Sequence, residues 1–266
     1  MSNDLDFLFK PIIMVTGFGP FANHPVNASW EAVKLLDKQE IENKHRCELV
    51  LIEIPVTYEN VDEFVPALWE THTPKLMIHV GVSSIANELT LEVQAHKKGY
   101  QRLDYFDKCP ANHVCTADGA VRIHTKLNVE RICKEFNDAS PEDSTRAVSS
   151  KDAGSLRHLQ CYCGCCLEIK STQQQNDTTD PLGQSVRYLC EYIYYTSLSV
   201  DNSRTLFVHV PDTNVYSSEQ TARGLQRIIE LCIEQIHEAE AATRLAATLR
   251  DTGLADAEKE AIDNKI

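Results

Sequence analysis

The apolar residues of this chain alternate between short continuous runs and helical spacings. Runs at 11–15, 48–56 and 75–82 predict buried β-strands, and Pro55 stops the second of them. Apolar residues spaced three and four apart predict helices between these strands: Trp30, Ala32, Val33, Leu35 and Leu36 in the first, and Val61, Phe64, Val65 and Leu68 in the second. Near-continuous apolar strands separated by helices are typical of a parallel sheet covered on both faces, so we expect an α/β fold.

The second half of the chain keeps this pattern after one change of period. Residues 89–96 alternate apolar and polar, which predicts one half-buried strand with Glu92 opposite the leucines, on a face that alternation alone favours as solvated. Residues 97–125 are rich in turn formers and predict an excursion or hairpin. The remaining predicted elements are a helix at 127–136, a short strand at 146–149, a buried strand at 205–211 and a helix with an apolar stripe from 225 to 236.

Residues 155–186 show neither the strand pattern nor the helix pattern of the rest of the chain. They contain four of the ten cysteines within six positions, followed by a Gln/Asn/Thr-rich stretch without periodicity. We expect an insertion into a single domain spanning 11–240, with a charged helical tail at 241–266 that frays toward its end. The cysteine cluster comprises Cys161, Cys163, Cys165 and Cys166, with His158 nearby. Because it lacks the paired C-x-x-C units of structural zinc sites, the sequence favours an oxidisable loop over a metal site.

Composition and charge narrow the function classes. Lys plus Arg is 26 and Asp plus Glu is 39 among 266 residues, and the net charge of −13 argues against nucleic acid or an anionic membrane as the main partner. No apolar run approaches the roughly 18–20 residues that a membrane span needs. The N-terminus does not read as a secretory signal, so we expect a cytoplasmic protein whose cysteines are thiols, one of which could be a nucleophile.

Two residues in the second half could carry thiol chemistry. Cys190 lies in segment 187–198, where leucine, isoleucine and tyrosine side chains fit an apolar helix that begins just before it, and the positive end of a helix dipole favours thiolate. His209 lies in an apolar strand, and His79 is placed similarly in another. A buried inert thiol and core histidines satisfied by hydrogen bonds are the alternatives, and position alone does not choose between the histidines.

The loop after the first strand is a candidate binding element. Its sequence GFGPF at 17–21 contains G-x-G but lacks the third glycine of a dinucleotide-binding fingerprint. Phe18 and Phe21, flanked by glycine and proline after a parallel strand, can instead form a rigid apolar wall at the carboxyl end of the sheet, where open α/β folds bind ligands.

Five ordered blocks of the chain resemble pyroglutamyl peptidase I, the pyrrolidone-carboxylate peptidase family of cysteine exopeptidases, and most closely its animal cytosolic form. They cover the chain from about 11 to 240 except 155–186. The blocks are MVTGFGPFANHPVNASWEAVKLL at 14–36, EIPVTY at 53–58, HVGVSSIANELTLEVQAHKKGY at 79–100, RYLCEYIYYTSL at 187–198 and FVHVP at 207–211.

The resemblance implies a fold, an activity and a site. The fold would be a three-layer α/β/α sandwich around a mostly parallel twisted sheet, and the activity would be hydrolysis of the bond after an N-terminal pyroglutamyl residue. By motif, the family's Glu, Cys and His triad falls on Glu92, Cys190 and His209, and its two pocket aromatics correspond to Phe18 and Phe21. It implies no cofactor and no metal, small pyroglutamyl peptides as partners without nucleic acid or membrane, and a monomer or weak homo-oligomer.

One departure from the family pattern precedes Cys190. The family's block S-x-D-A-G-R-Y-L-C is present in two halves, SSKDAG at 149–154 and RYLC at 187–190, separated by 155–186. A tight turn before the nucleophile aims the thiol in this family, and a misplacement near 1 Å costs on the order of 100-fold in rate. The alternative function is therefore a catalytically impaired member that at most binds pyroglutamyl peptides.

Overall fold

A computed structural model describes residues 10–21, 26–139, 144–151 and 187–251 of the chain. The predicted insertion at 155–186, the cysteine cluster within it and the end of the predicted tail beyond 251 lie outside the described residues. Those three predictions stay predictions.

The described residues contain eight strands and six α-helices. The strands are β1 Ile12–Phe18, β2 Glu48–Ile54, β3 Leu76–Val82, β4 Leu89–Glu92, β5 Gln94–His96, β6 Arg122–His124, β7 Ala147–Ser150 and β8 Thr205–Val210. The helices are α1 Ala28–Val33, α2 Lys38–His45, α3 Tyr58–His72, α4 Val129–Asp138, α5 Leu189–Val200 and α6 Ser218–Asp251.

Six strands form one mixed sheet in the order β2-β1-β3-β8-β4-β7. The pairs β1–β2, β1–β3, β3–β8 and β4–β7 are parallel, and β4 pairs with β8 antiparallel. Strands β5 and β6 form a separate antiparallel pair. Most strand pairs of the sheet are parallel, and helices follow β1, β2, β6 and β7, which confirms the predicted α/β fold. The β5–β6 pair confirms the predicted hairpin-like excursion.

Helices cover both faces of the sheet, so the core has two halves. One half contains residues of α1, α4 and α6 with alternate strand residues such as Val15, Val80 and Val208. The other half contains residues of α3 and α5 with the intervening strand residues such as Met14 and Phe207. Successive side chains of a strand point to opposite faces, which is why these apolar strands supply both halves. The arrangement is the expected three-layer α/β/α sandwich.

Short polar side chains begin the helices that follow β1 and β2. Asn27 accepts a hydrogen bond from the Ser29 amide at the start of α1, and Thr57 accepts one from the Asn60 amide at the start of α3. Such caps satisfy amide groups that lack intrahelical partners. Pro55 immediately follows β2, as predicted. These turns place residues 18–21 and 55–58 at the carboxyl edge of the sheet.

The prediction of one half-buried strand at 89–96 is wrong in two respects. The segment divides into β4, in the large sheet, and β5, which pairs with β6. Glu92 does lie on the face opposite the leucines, but it is fully buried rather than solvated. Helix α5 packs over that face, and alternation cannot report what covers a face.

Candidate active site

The site is built on β8 and its two neighbours near the centre of the large sheet. His209 pairs in register with Gly81 of parallel strand β3 and with Thr90 of antiparallel strand β4. Alternation puts Phe207, His209 and Gly81 on the face that α5 covers. A central strand is held on both sides by backbone hydrogen bonds, so His209 is presented by a rigid element.

Glu92 and His209 form a buried pair. His209 Nδ1 lies 2.7 Å from Glu92 Oε1, and both side chains are almost completely excluded from solvent. The carboxylate accepts from Nδ1–H, which leaves Nε2 of the neutral ring as the nitrogen that can take a proton. Phe207 packs against the ring, with centroids 4.7 Å apart. The imidazole is therefore fixed in tautomer and in orientation.

Glu92 is supported by two further hydrogen bonds. The Tyr194 hydroxyl donates to the Glu92 carbonyl oxygen at 2.8 Å, and Ser150, its register partner on β7, hydrogen-bonds to its carboxylate. Burial raises the pKa of Glu92 above its ordinary value, and the hydrogen bonds from His209 and Ser150 act in the opposite direction. The hydrogen bonds to the carboxylate offset only part of the cost of burying it, because its Oε2 has no hydrogen-bond partner among the described residues.

Cys190 lies at the second position of α5 and is buried. The N-cap residue Tyr188 is extended, so the helix starts abruptly at Leu189 and has the thiol in its first turn. A Cβ atom built on Gly81 would lie 3.0 Å from Cys190 Sγ and 2.8 Å from Phe207 Cζ. The thiol therefore rests on the backbone of β3 at the register partner of His209, on the same face of the sheet as the imidazole.

The two loop phenylalanines lie on this face as well. Phe18 ends β1 and Phe21 follows three residues later, and both are buried. They belong to the same hydrophobic cluster as Cys190 and Tyr58. The structure thus brings all five sequence-predicted site residues to the half of the molecule between the sheet and the α3–α5 layer.

His79, the competing histidine, has a different role. Its Nδ1 lies 2.7 Å from Thr16 Oγ1 and its Nε2 lies 2.6 Å from Ser197 Oγ, which also accepts from Trp69 Nε1. Burial lowers the pKa of His79 to about 3. With both ring nitrogens occupied and no carboxylate in contact, this histidine is a neutral structural group that joins β1, β3, α3 and α5.

Sequence reasoning missed two residues that the site depends on. Gly81 leaves the space that Cys190 Sγ and Phe207 occupy, and a glycine inside an apolar strand is a signal of close approach that could have indicated it. Ser150 supports Glu92 from β7, and no local pattern predicts that register. Among the described residues, no group of three or more His, Cys, Asp or Glu side chains is arranged to hold a metal.

A sequence profile of the pyroglutamyl peptidase family matches residues 12–155. Pyroglutamyl-peptidase 1 of Homo sapiens is 36% identical over 232 residues, covering 87% of this chain and 94% of the human protein. The chain belongs to the pyroglutamyl peptidase family. The Mus musculus pyroglutamyl-peptidase 1 is 37% identical over 232 residues, with the same coverage of 87% and 94%. These relatives support the animal form among pyroglutamyl peptidases.

The fold is shared with solved pyroglutamyl peptidase structures. The pyrrolidone carboxyl peptidase from Thermococcus litoralis superposes with a TM-score of 0.65 at 17% identity, covering 86% of this chain and 96% of that one. This likeness concerns the fold alone. Within the described residues, no helix of this pyroglutamyl peptidase family member is long and apolar enough to cross a membrane.

Proposed function

We propose that this protein is a cysteine-type omega peptidase that hydrolyses the bond after an N-terminal pyroglutamyl residue. The observation that carries the proposal is the buried Glu92–His209 pair. The Cys190 thiol, at the start of α5, lies on the same face of the sheet and contacts Gly81, the residue paired with His209 in the register of β3 and β8. Cys190 would be the nucleophile, His209 the general base and acid, and Glu92 the group that orients the imidazole.

The reaction runs in two steps. His209 Nε2 takes the thiol proton, and Cys190 Sγ attacks the pyroglutamyl carbonyl carbon; the carbon–nitrogen bond then breaks while His209 protonates the leaving amine. Water, deprotonated by His209, hydrolyses the resulting thioester and releases pyroglutamate and the thiol. Backbone N–H groups at the start of α5 would stabilise the negative oxygen of each tetrahedral intermediate. Glu92 stabilises the imidazolium that forms in each step.

The pocket chemistry suits a lactam ring. A pyroglutamyl ring is small, flat and neutral, and the aromatic side chains of Phe18 and Phe21 can bind its faces. A free N-terminal ammonium would lose its hydration there without a compensating partner. We infer that the ligands are small peptides with a blocked N-terminus, bound by a cytoplasmic monomer or weak homo-oligomer that uses no cofactor and binds neither nucleic acid nor membrane.

Release of a fluorophore from a pyroglutamyl amide by the purified full chain tests this function. The controls are the matching alanyl amide, which carries a free ammonium, and the Cys190→Ala variant. We expect turnover of the pyroglutamyl amide alone, and none by the variant. A second comparison uses the chain without residues 155–186. Turnover by the shortened chain but not by the full chain would establish the alternative, an impaired member; no observation favours that alternative.

A further inference from the structure

A buried charged cluster stands directly beside the nucleophile. Glu191 follows Cys190 in the first turn of α5 and is fully buried. Arg187 Nη1 lies 2.7 Å from each of its two carboxylate oxygens. Its Oε1 also accepts from the His96 backbone amide at 2.8 Å and lies 2.7 Å from His96 Nδ1. The carboxylate is thus held by donors from two separate parts of the chain.

Backbone contacts reinforce the same junction. The Arg187 amide donates to the Gly99 carbonyl oxygen at 2.8 Å. The Tyr100 hydroxyl donates to the His96 carbonyl oxygen and lies 3.5 Å from the Glu191 carbonyl oxygen. Residues on both sides of Cys190 are therefore tied to segment 96–100. We call the set formed by His96, Gly99, Tyr100, Arg187 and Glu191 the helix-start clamp.

Consecutive residues of a helix point about 100° apart, which gives Cys190 and Glu191 different neighbours. The Cys190 thiol rests on Gly81 of β3, whereas the Glu191 carboxylate reaches His96 of β5. Because Cys190 and Glu191 contact different strands, the two contacts together fix the rotation of α5 about its axis and the distance of its first turn from the sheet. The hydrogen bonds and ion pairs of the Glu191 side chain are made with Arg187 and His96, and its charge also raises the pKa of Glu92. Glu191 is therefore held by the clamp and is not placed here as a proton donor or acceptor.

From this geometry we infer that Glu191, clamped by Arg187 and His96, is a positioning residue that holds the Cys190 thiol in place for His209. The inference rests on the proposed function. Among the described residues, the members of the clamp come from 96–100 and 187–191, two segments that lie far apart in the chain.

The first test compares Glu191→Gln with a matched control. Gln keeps the size of the side chain and removes the charge that binds Arg187. The control is Glu230→Gln, which changes a buried carboxylate of α6 that pairs with Lys44 at 2.9 Å and Arg227 at 3.3 Å in the opposite layer. We expect Glu191→Gln to lower kcat for a pyroglutamyl amide at least tenfold with KM within threefold, and Glu230→Gln to leave both unchanged.

The second readout does not need turnover. The folded protein is treated with iodoacetamide between pH 6 and 9, and mass spectrometry of the peptide that contains Cys190 gives the alkylation rate of its thiol. A thiol displaced from His209 should react at least fivefold more slowly at pH 7, and its rate profile should move to higher pH. A purely structural role would change the folded fraction and leave the profile of the folded protein unmoved.

Each outcome decides the inference. Unchanged kcat and an unchanged alkylation profile in folded Glu191→Gln overturn it, as does an equal loss in Glu230→Gln. If Glu191→Gln does not fold, Arg187→Lys is compared with Arg187→Met: greater kcat in the lysine variant supports the inference, and equal kcat overturns it. If the parent chain has no turnover, the proposed function fails, and the alkylation profiles alone decide whether Glu191 positions the thiol.

Discussion

His209 and Glu92 meet diagonally across two antiparallel strands, with His209 Nδ1 2.7 Å from Glu92 Oε1. In the strand register, His209 pairs with Thr90 and Glu92 pairs with Phe207. Glu92 therefore lies two residues along β4 from the residue directly opposite His209. Diagonal neighbours on one face of an antiparallel pair lie within reach of long side chains. The pair is therefore set by the hydrogen-bonded ladder between β4 and β8, and it needs no loop to hold it.

Replacing Glu92 by Gln should separate activity from stability. Gln can still accept from His209 Nδ1–H but cannot stabilise the imidazolium, so part of the hydrolysis rate should remain. Burial raises the pKa of Glu92 above its ordinary value of 4.5. Above the raised pKa the carboxyl group is ionised in both the folded and the unfolded chain, and the buried charge lowers the free energy of unfolding. Below pH 4.5 it is protonated in both and has no such effect. At pH 7–8 the variant should unfold at the same or a higher temperature. A lower midpoint together with full activity would contradict this account.

Cys190→Ala should abolish hydrolysis while changing stability little. The thiolate is the only covalent partner in the proposed reaction, and the substitution deletes one buried atom, at a cost of about 1 kcal/mol. Cys232→Ala is the matched control, because Cys232 is an equally buried thiol in the opposite layer. Fluorophore release and thermal unfolding measure the two effects. Residual activity within tenfold of the parent would identify another nucleophile.

Cys190 and His209 should behave as one unit. His209→Ala removes the base that generates the nucleophile, so adding Cys190→Ala should cause no further loss in kcat. The measurement is a double-mutant cycle on the rate of pyroglutamyl-amide hydrolysis, with the uncatalysed rate as baseline. Losses that multiply in the double variant would show that the two residues act independently, against the proposed pairing.

Gly81→Ala should impair the site through crowding. Its Cβ atom would lie 2.8 Å from Phe207 Cζ and 3.0 Å from Cys190 Sγ, so one of these side chains must move. We expect kcat per folded molecule to fall at least tenfold, since displacements near 1 Å cost on the order of 100-fold.

Gly224→Ala is the control for that crowding. Its Cβ would lie 2.6 Å from Leu89 Cδ1 in the opposite core half, at a comparable steric cost and away from the thiol. It should lower the midpoint of unfolding without changing kcat per folded molecule. Equal kcat in the two variants would show that Gly81 has no special relation to the nucleophile.

His79 should make the protein less stable in mild acid. Burial lowers its pKa to about 3, whereas in the unfolded chain it titrates near 6.5. Above pH 6.5 the ring is neutral in both states. As the pH falls below 6.5, only the unfolded chain takes up the proton, so the free energy of unfolding should fall by up to about 1.4 kcal/mol per pH unit from this group.

Urea unfolding between pH 7.5 and 5 measures this dependence. His79→Asn should be less stable at pH 7.5 but should have a shallower loss toward pH 5. His124→Asn, at an exposed histidine of β6, should keep the slope of the parent. Parallel slopes in the parent and in His79→Asn would mean that another group produces the acid sensitivity.

Local pattern predicted most of the fold. Apolar runs located β1, β2, β3 and β8 to within a few residues, and the stripe from Leu225 to Ile236 identified the packed part of α6, although the helix extends over 34 residues. Pro55 marked the end of one strand. The location of these strands and of this helix depends on residues close to one another in sequence, so the sequence alone determines it. Five separated motifs likewise indicated the family.

Tertiary structure alone decided which candidate residues meet. His79 and His209 occupy similar positions in similar strands. They differ in their partners, because Glu92 contacts His209 whereas Thr16 and Ser197 contact His79. Alternation placed Glu92 on a face but could not show that α5 covers that face. Periodicity records the direction in which a side chain points, whereas its partner is set by strand register and helix packing between residues far apart in the chain, such as Gly81 and Cys190.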